Sequence, residues 1–226
     1  MHPSVIGKHL VAAAALTAVL GQPTAQGADE KENLKIEFPK AQFVGTPVPV
    51  GGIARLEKPG KPVLTLPVPK GTALISKDKP VTSSETAPSI GDLTLVTDGD
   101  KDGADGSFVE LGPGAHWVQI DLGAEYNLSA IAIWHYHKQA RVYRDVIVEA
   151  ASTPDMAKAT VLYNNDDDNS SKKGAGKDFS YIETQHGRLI DGKGTKARYV
   201  RCWSNGNHVD DLNHYVEVEV WGLPAK

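Results

Sequence analysis

The sequence predicts an all-β protein, an antiparallel jelly-roll β-sandwich preceded by an extended proline-rich leader. Three observations predict it. Beyond Gly71, apolar residues recur at every second position in short runs divided by Gly, Asn and Asp clusters, the pattern of half-buried strands joined by turns. No amphipathic segment of helical length competes with those runs. Nor do strands alternate with helices in the way that builds a parallel sheet. The candidate strands are Leu93–Thr97, His116–Leu122, Leu128–His137, Arg144–Ala151, Thr160–Tyr163, Ala197–Ser204 and His214–Gly222.

The chain is read in three parts: residues 1–27, 28–71 and 72–226. Lys8 and His9 precede an apolar run from Leu10 to Leu20, too short to span a bilayer core of about 30 Å. With small residues Ala25 and Gly27 at the −3 and −1 positions, this is the pattern of a secretory signal peptide cleaved after Gly27, so the protein is expected to be secreted or periplasmic. From there to Gly71, prolines at 39, 47, 49, 59, 62, 67 and 69 oppose both helix interiors and central strands. This leader either holds the domain off a surface or lies in grooves of the domain, with Phe38-Pro39 and Phe43-Val44 as its apolar pieces.

Composition narrows the function classes. Lys and Arg total 24 against 28 Asp and Glu, a net charge of −4, with no basic stretch to track a nucleic-acid backbone or an anionic membrane. A single cysteine, Cys202, allows no intrachain disulfide, so an exported domain must rely on its core and on any bound ion. No second apolar stretch is present to hold the mature chain in a membrane.

Four segments in order carry a resemblance: Ala73–Ser84, Leu95-Val-Thr-Asp-Gly-Asp100, His116-Trp-Val-Gln-Ile-Asp-Leu-Gly123 and Tyr215-Val-Glu-Val-Glu-Val-Trp-Gly222. Together they resemble the landmarks of discoidin-like domains, also called coagulation factor 5/8 type C or galactose-binding-like domains, over about residues 72–222. Trp134–His137, Asn164–Asn169 and Ser204–Asn207 are similar to a branch in exported bacterial proteins. The resemblance implies an eight-stranded jelly roll that binds glycans, phospholipids or proteins through loops at one end, without catalysis. It also implies a structural calcium ion, whose ligands would fall on Asp98, Asp100, Ser107 and Glu217. Animal members usually close the domain with a disulfide; here Cys202 has no partner, which leaves disulfide-free bacterial glycan binders as the nearer guide.

Other residues suggest chemistry on their own. The turn Asp98-Gly99-Asp100, with Asp102, Asp105 and Ser107, offers the oxygen ligands that a hard cation takes in numbers of six to eight, or else forms a solvated acidic turn. The cluster Asn164–Asn169 lacks the Gly and Glu of an EF-hand at the required positions, held by Asn169 and Ala175, and reads as a solvated loop or a second ion site. Strand parity places His135 and His137 on the face of Ile131 and Ile133, His116 with Val118 and Ile120, and His214 with Val216, Val218 and Val220. Such histidines either hydrogen-bond loop backbone at the rim or, given a third ligand, bind zinc or copper. Trp134, Tyr136, Arg141, Tyr143, Asn205, Asn207 and His208 lie at strand ends or in loops and supply flat rings and hydrogen-bonding groups suited to sugars, with His135, His137 and His214 beside them. Trp117 and Trp221 are assigned to structure, on a sheet face or beneath the leader.

No nucleophile with a base and no glycine loop opening a helix is visible, so no enzyme is expected. The function expected is an exported module that recognises carbohydrate or another cell-surface component above a calcium-braced sandwich. Two alternatives stand beside it: a periplasmic transition-metal binder built on His135 and His137, and a protein-interaction domain that docks through its leader.

Overall fold

The computed structural model describes Met1 and residues 30–41, 50–58 and 60–225; the expected signal peptide and Phe43-Val44 lie outside the described residues. Ten strands occur in the described residues: β1 (Lys31–Asn33), β2 (Pro67–Pro69), β3 (Ala73–Leu74), β4 (Val81–Ser83), β5 (Val109–Leu111), β6 (His116–His135), β7 (Ile147–Ala151), β8 (Thr160–Asn164), β9 (Arg188–Ser204) and β10 (Asn213–Pro224). All named pairs are antiparallel. Among the described residues no helix is long and apolar enough to cross a membrane.

Two long strands make the sandwich. The first half of β6 pairs with β4 on one side and with the end of β9 on the other, and β9 continues to β7 and β8. The second half of β6 pairs with the start of β9 and with β10, whose far edge carries β3 and β5. Irregularities between Asp121 and Tyr126 and between Leu128 and Ala130 let the pair bend from one sheet to the other. One continuous core fills the space between: Val118, Ile120, Val148, Val200 and Cys202 from the first sheet meet Ile131, Ile133, Val218 and Val220 from the second.

Two sequence expectations change. Leu93–Thr97 is a 3₁₀ turn and not a strand, because Asp92 caps it by accepting a hydrogen bond from the Thr94 amide at 2.9 Å. His214 does share a face with Val216, but a bulge between Tyr215 and Glu217 reverses the parity. Val218 and Val220 therefore enter the central core, while Val216 joins Phe108 and Trp134 on the opposite face.

That opposite face is covered by the described part of the leader. Leu34 and Val68 pack with Ala130, Ala132, Trp134, Val216 and Trp221, flanked by Ile36, Phe38 and Leu66. The short β1–β2 pair is fixed by Leu34 N–H to the Leu66 carbonyl at 2.9 Å and by Thr65 Oγ1 to the Leu34 carbonyl at 2.8 Å. Trp221 thus lies beneath the leader, whereas Trp117 lies on the outer face of the first sheet under Arg201, 4.1 Å from the ring centre.

Cys202 is fully buried in the core, and burial, reinforced by the charge of Glu149, pushes its thiol far above the ordinary range. The native protein is expected to resist a thiol-specific disulfide reagent and to titrate one thiol after unfolding. Rapid reaction of the folded protein would contradict this burial.

Candidate functional site

At the end of the second sheet, β5, the exit of β6 and the entry of β10 surround a cleft of about 340 Å³, within the range of small-ligand sites. Phe108 and Glu110 come from the β5 segment, Tyr136 and Arg141 from the loop after β6, Asp210 and Leu212 from the β9–β10 loop, and His214 from β10. The antiparallel register sets His214 opposite Glu110, which is why residues far apart in sequence meet there.

The polar groups form a connected set. Arg141 Nη1 donates to Asp210 Oδ2 at 2.7 Å while its guanidinium sits 4.9 Å above the centre of the Tyr136 ring. His214 Nε2 donates to Glu110 Oε2 at 3.2 Å, and its Nδ1 accepts from the Tyr143 hydroxyl at 2.9 Å. That tautomer is the neutral one, in keeping with burial and the Arg141 charge, which hold the His214 pKa below its usual value. Burial raises the carboxyl of Asp210, but hydrogen bonds from Asn207 and the Leu212 amide and the charge of Arg141 outweigh it, so the pKa is lowered. Phe108 meets Tyr136 edge to face at 5.3 Å, giving the cleft an apolar aromatic wall. Arg141 keeps one buried donor, Nε, without a partner.

The structure divides the sequence-derived site residues. Tyr136, Arg141 and His214 line the cleft, and Tyr143 supports it from behind through His214. Trp134 does not join them: it faces the leader, fully buried, with its indole N–H on the Gln185 carbonyl at 2.9 Å. His135 and His137 are fully buried as well. His135 Nδ1 donates to Glu183 Oε1 at 2.6 Å, its ring stacked 4.3 Å from that of Tyr143, and His137 Nε2 donates to the Lys101 carbonyl at 2.8 Å. His116 is elsewhere, accepting or donating at Ser84 Oγ. Asn207 shapes its own loop through Asp210 and the Leu212 carbonyl, His208 Nδ1 accepts from the Val142 amide at 3.0 Å, and Asn205 faces Asp145.

Phe108, Glu110 and Asp210 were not anticipated. The signal for them is pairing across strands and loops, which a single sequence does not display.

Of the expected calcium ligands, Asp98 and Glu217 meet at one turn, where Asp98 Oδ1 accepts from the Asp100 amide at 2.8 Å. Glu217 is 1% exposed, with Oε2 accepting from the Gly99 amide at 3.0 Å. Burial pushes its pKa up to about 8, and Glu219 and Asp98 push in the same direction. Lys101, 2.7 Å from Glu219, opposes that rise. Asp100 instead accepts from the Asp102 amide, and Ser107 donates its own amide to the Ala104 carbonyl. Among the described residues, the group of three or more ligating side chains that converge within 4.8 Å is Asp145, Asp166 and Asp168, with no histidine in it.

No family model matches the sequence, and no curated protein matches it. Among solved structures, the chain is similar to a family 89 glycoside hydrolase from Clostridium perfringens, with 21% identity and a TM-score of 0.50 over 67% of this chain and 15% of that one. It is also similar to CpGH89CBM32-4, produced by Clostridium perfringens and solved with GlcNAc-alpha-1,4-galactose, with 13% identity and a TM-score of 0.50 over 68% of this chain and 96% of that module. The chain has the discoidin-like, galactose-binding-like fold. On this fold the cleft lies where the β5–β6–β10 edge meets the β9–β10 loop. The chain spans 15% of the hydrolase, so the likeness concerns one domain of that enzyme and not its whole length.

Proposed function

We propose that this chain is an exported, non-catalytic module that binds carbohydrate in the Arg141–His214 cleft. The observation that carries the reading is the composition of that cleft: an aromatic wall of Phe108 and Tyr136 beside a guanidinium, a neutral imidazole and the three carboxylates of Asp105, Glu110 and Asp210. Rings of this kind cover the apolar faces of a sugar, and the polar groups match its hydroxyls. The likeness to a module solved with a disaccharide, over nearly the whole of that module, supports it. Binding is favoured over glycoside cleavage because the cleft carboxylates are committed. Glu110 accepts from Ser89 and His214, Asp105 is solvent-exposed and accepts from Lys138, and the Asp210 pKa is lowered, whereas a glycosidase needs an acid that keeps its proton. The apolar run at residues 10–20 supports export. We further propose a calcium ion held by Asp98 and Glu217, which would neutralise the buried Glu217 carboxylate and the half-buried Asp98 and brace the loop after the 3₁₀ turn.

A glycan array followed by calorimetry tests the binding site. The wild-type chain is expected to bind at least one glycan class, and both Arg141→Ala and Tyr136→Ala should weaken that binding at least ten-fold, about 1.4 kcal/mol or more. Absence of any glycan binding by the full chain, with the fold intact by circular dichroism, would reject the reading.

A further inference from the structure

Across the β9–β10 loop from the Arg141 cleft lies a second concavity of about 470 Å³ that shares no lining residue with the first. The loop is the ridge between them. Asp210 reaches to Arg141 on one side, and the adjacent Asp211 reaches to Arg144 on the other, at 2.8 Å. Gly206 lets the ridge close tightly: its φ is 66°, and a Cβ there would come within 2.9 Å of the Asp211 backbone.

The second concavity is acidic. Asp145 and Asp168 stand on its wall, and one carboxylate oxygen from each lies within 4.8 Å of one from the buried Asp166. Burial, with Asp166 and Asp168 adding to it, raises the Asp145 pKa against the hydrogen bonds of Asn205 and Ser170. Arg144, the basic residue on the wall, is already paired with Asp211.

Such a cluster alone suits a metal ion as well as an organic cation. Asn165 separates the two. It lies on the same wall at 4% exposure, and its Oδ1 is fixed by the Val146 amide at 2.6 Å. Its Nδ2 is left as a buried donor with no partner. A metal ion bound by the carboxylates cannot itself accept from that N–H. An amino sugar offers both complements, an ammonium group for the carboxylates and a hydroxyl oxygen for Nδ2.

We propose that this concavity is a second sugar subsite, specific for a residue bearing a free amine. The proposal extends the carbohydrate-binding reading and rests on it for the class of ligand.

The test is an amide-resolved NMR titration of the full ¹⁵N-labelled chain at fixed ionic strength with D-glucosamine, N-acetyl-D-glucosamine and calcium chloride in turn. Glucosamine is expected to shift the amides of Asp145, Asn165 and Asn205, with N-acetylglucosamine at least ten-fold weaker at those positions. Asp145→Asn keeps an acceptor for Ser170 and Asn205 and tolerates the positive φ of 52°, and Asp168→Asn changes an exposed side chain. Each should weaken glucosamine at least five-fold while leaving the spectrum of the core unchanged; should the first variant fail to fold, the second tests the subsite alone. Equal response to the two sugars, glucosamine binding untouched by either variant, or calcium saturating these amides and excluding glucosamine would overturn the proposal. The Arg141 cleft is read by its own amides. If those stay silent to every sugar while Asp145 and Asn165 respond to glucosamine, the general reading fails and the amine subsite stands.

Discussion

Between pH 5 and pH 9 the metal-free protein is expected to lose about 3–5 kcal/mol of stability through one side chain, Glu217, since each unit of pKa shift corresponds to about 1.4 kcal/mol. Its carboxyl lies on β10, 1% exposed, facing Asp98 and Glu219 with Lys101 and the Gly99 amide in opposition. Burial is the main cause of a folded pKa of about 8 against an ordinary 4.5. A carboxyl raised in this way favours the folded state while protonated. Its contribution is therefore complete below the unfolded value and is lost as the pH rises through about 8. Glu219, also raised mainly by burial, adds in the same sense, although Lys101 at 2.7 Å holds it back. Glu217→Gln should flatten the profile. Calcium held by Asp98 and Glu217 would keep the carboxylate ionised at no such cost, so calcium should restore stability above pH 7 in the wild type and fail to do so in Glu217→Gln or Asp98→Asn. Urea denaturation across this range, in chelator and in calcium, measures both effects. A flat profile in chelator removes the buried-acid argument, and identical curves with and without calcium remove the ion.

Trp134→Ala is expected to cost about 3–5 kcal/mol, the range for emptying a large aromatic site in a packed core. The side chain is fully buried, its N–H is bonded to the Gln185 carbonyl, and Lys101 Nζ lies 5.2 Å from the centre of its ring. Gly187 is packed so close that a Cβ there would approach the ring to 2.8 Å. The same ring carries the attachment of the leader, through the cluster that includes Leu34 and Val68. A double-mutant cycle of Trp134→Ala with Val68→Ala should therefore show coupling of at least about 0.5 kcal/mol, as for side chains that share one packed cluster. Strict additivity, measured by denaturant unfolding, would mean that the leader does not rest on this face.

What the sequence determined by itself was whatever depends on local parity. The period-two pattern gives the β class, places Ile131, Ile133 and His135 on the inner face and Trp134 on the outer one, and sets Trp221 opposite Val218 and Val220; the structure has all of these. It also marks Tyr136, Arg141 and His214 as groups suited to a ligand, because polar and aromatic residues gather there at strand ends. The tertiary structure decided everything that depends on which segments meet. A one-residue bulge at Val216 and Glu217 sends Val218 and Val220 to the face opposite His214 and Val216, a change that alternation cannot register. Residues 93–97 alternate like a strand yet form a 3₁₀ turn, because the Asp92 side chain satisfies the Thr94 amide locally. Glu110 comes to His214 through strand pairing, and Asp210 comes to Arg141 through a loop. Likewise Asp145 reaches Asp166 and Asp168 only when β7 and β8 pair and bring their flanking loops together. Hydrophobic burial chooses those neighbours from contacts far apart along the chain, and a single sequence states the faces of each strand without stating which faces will meet.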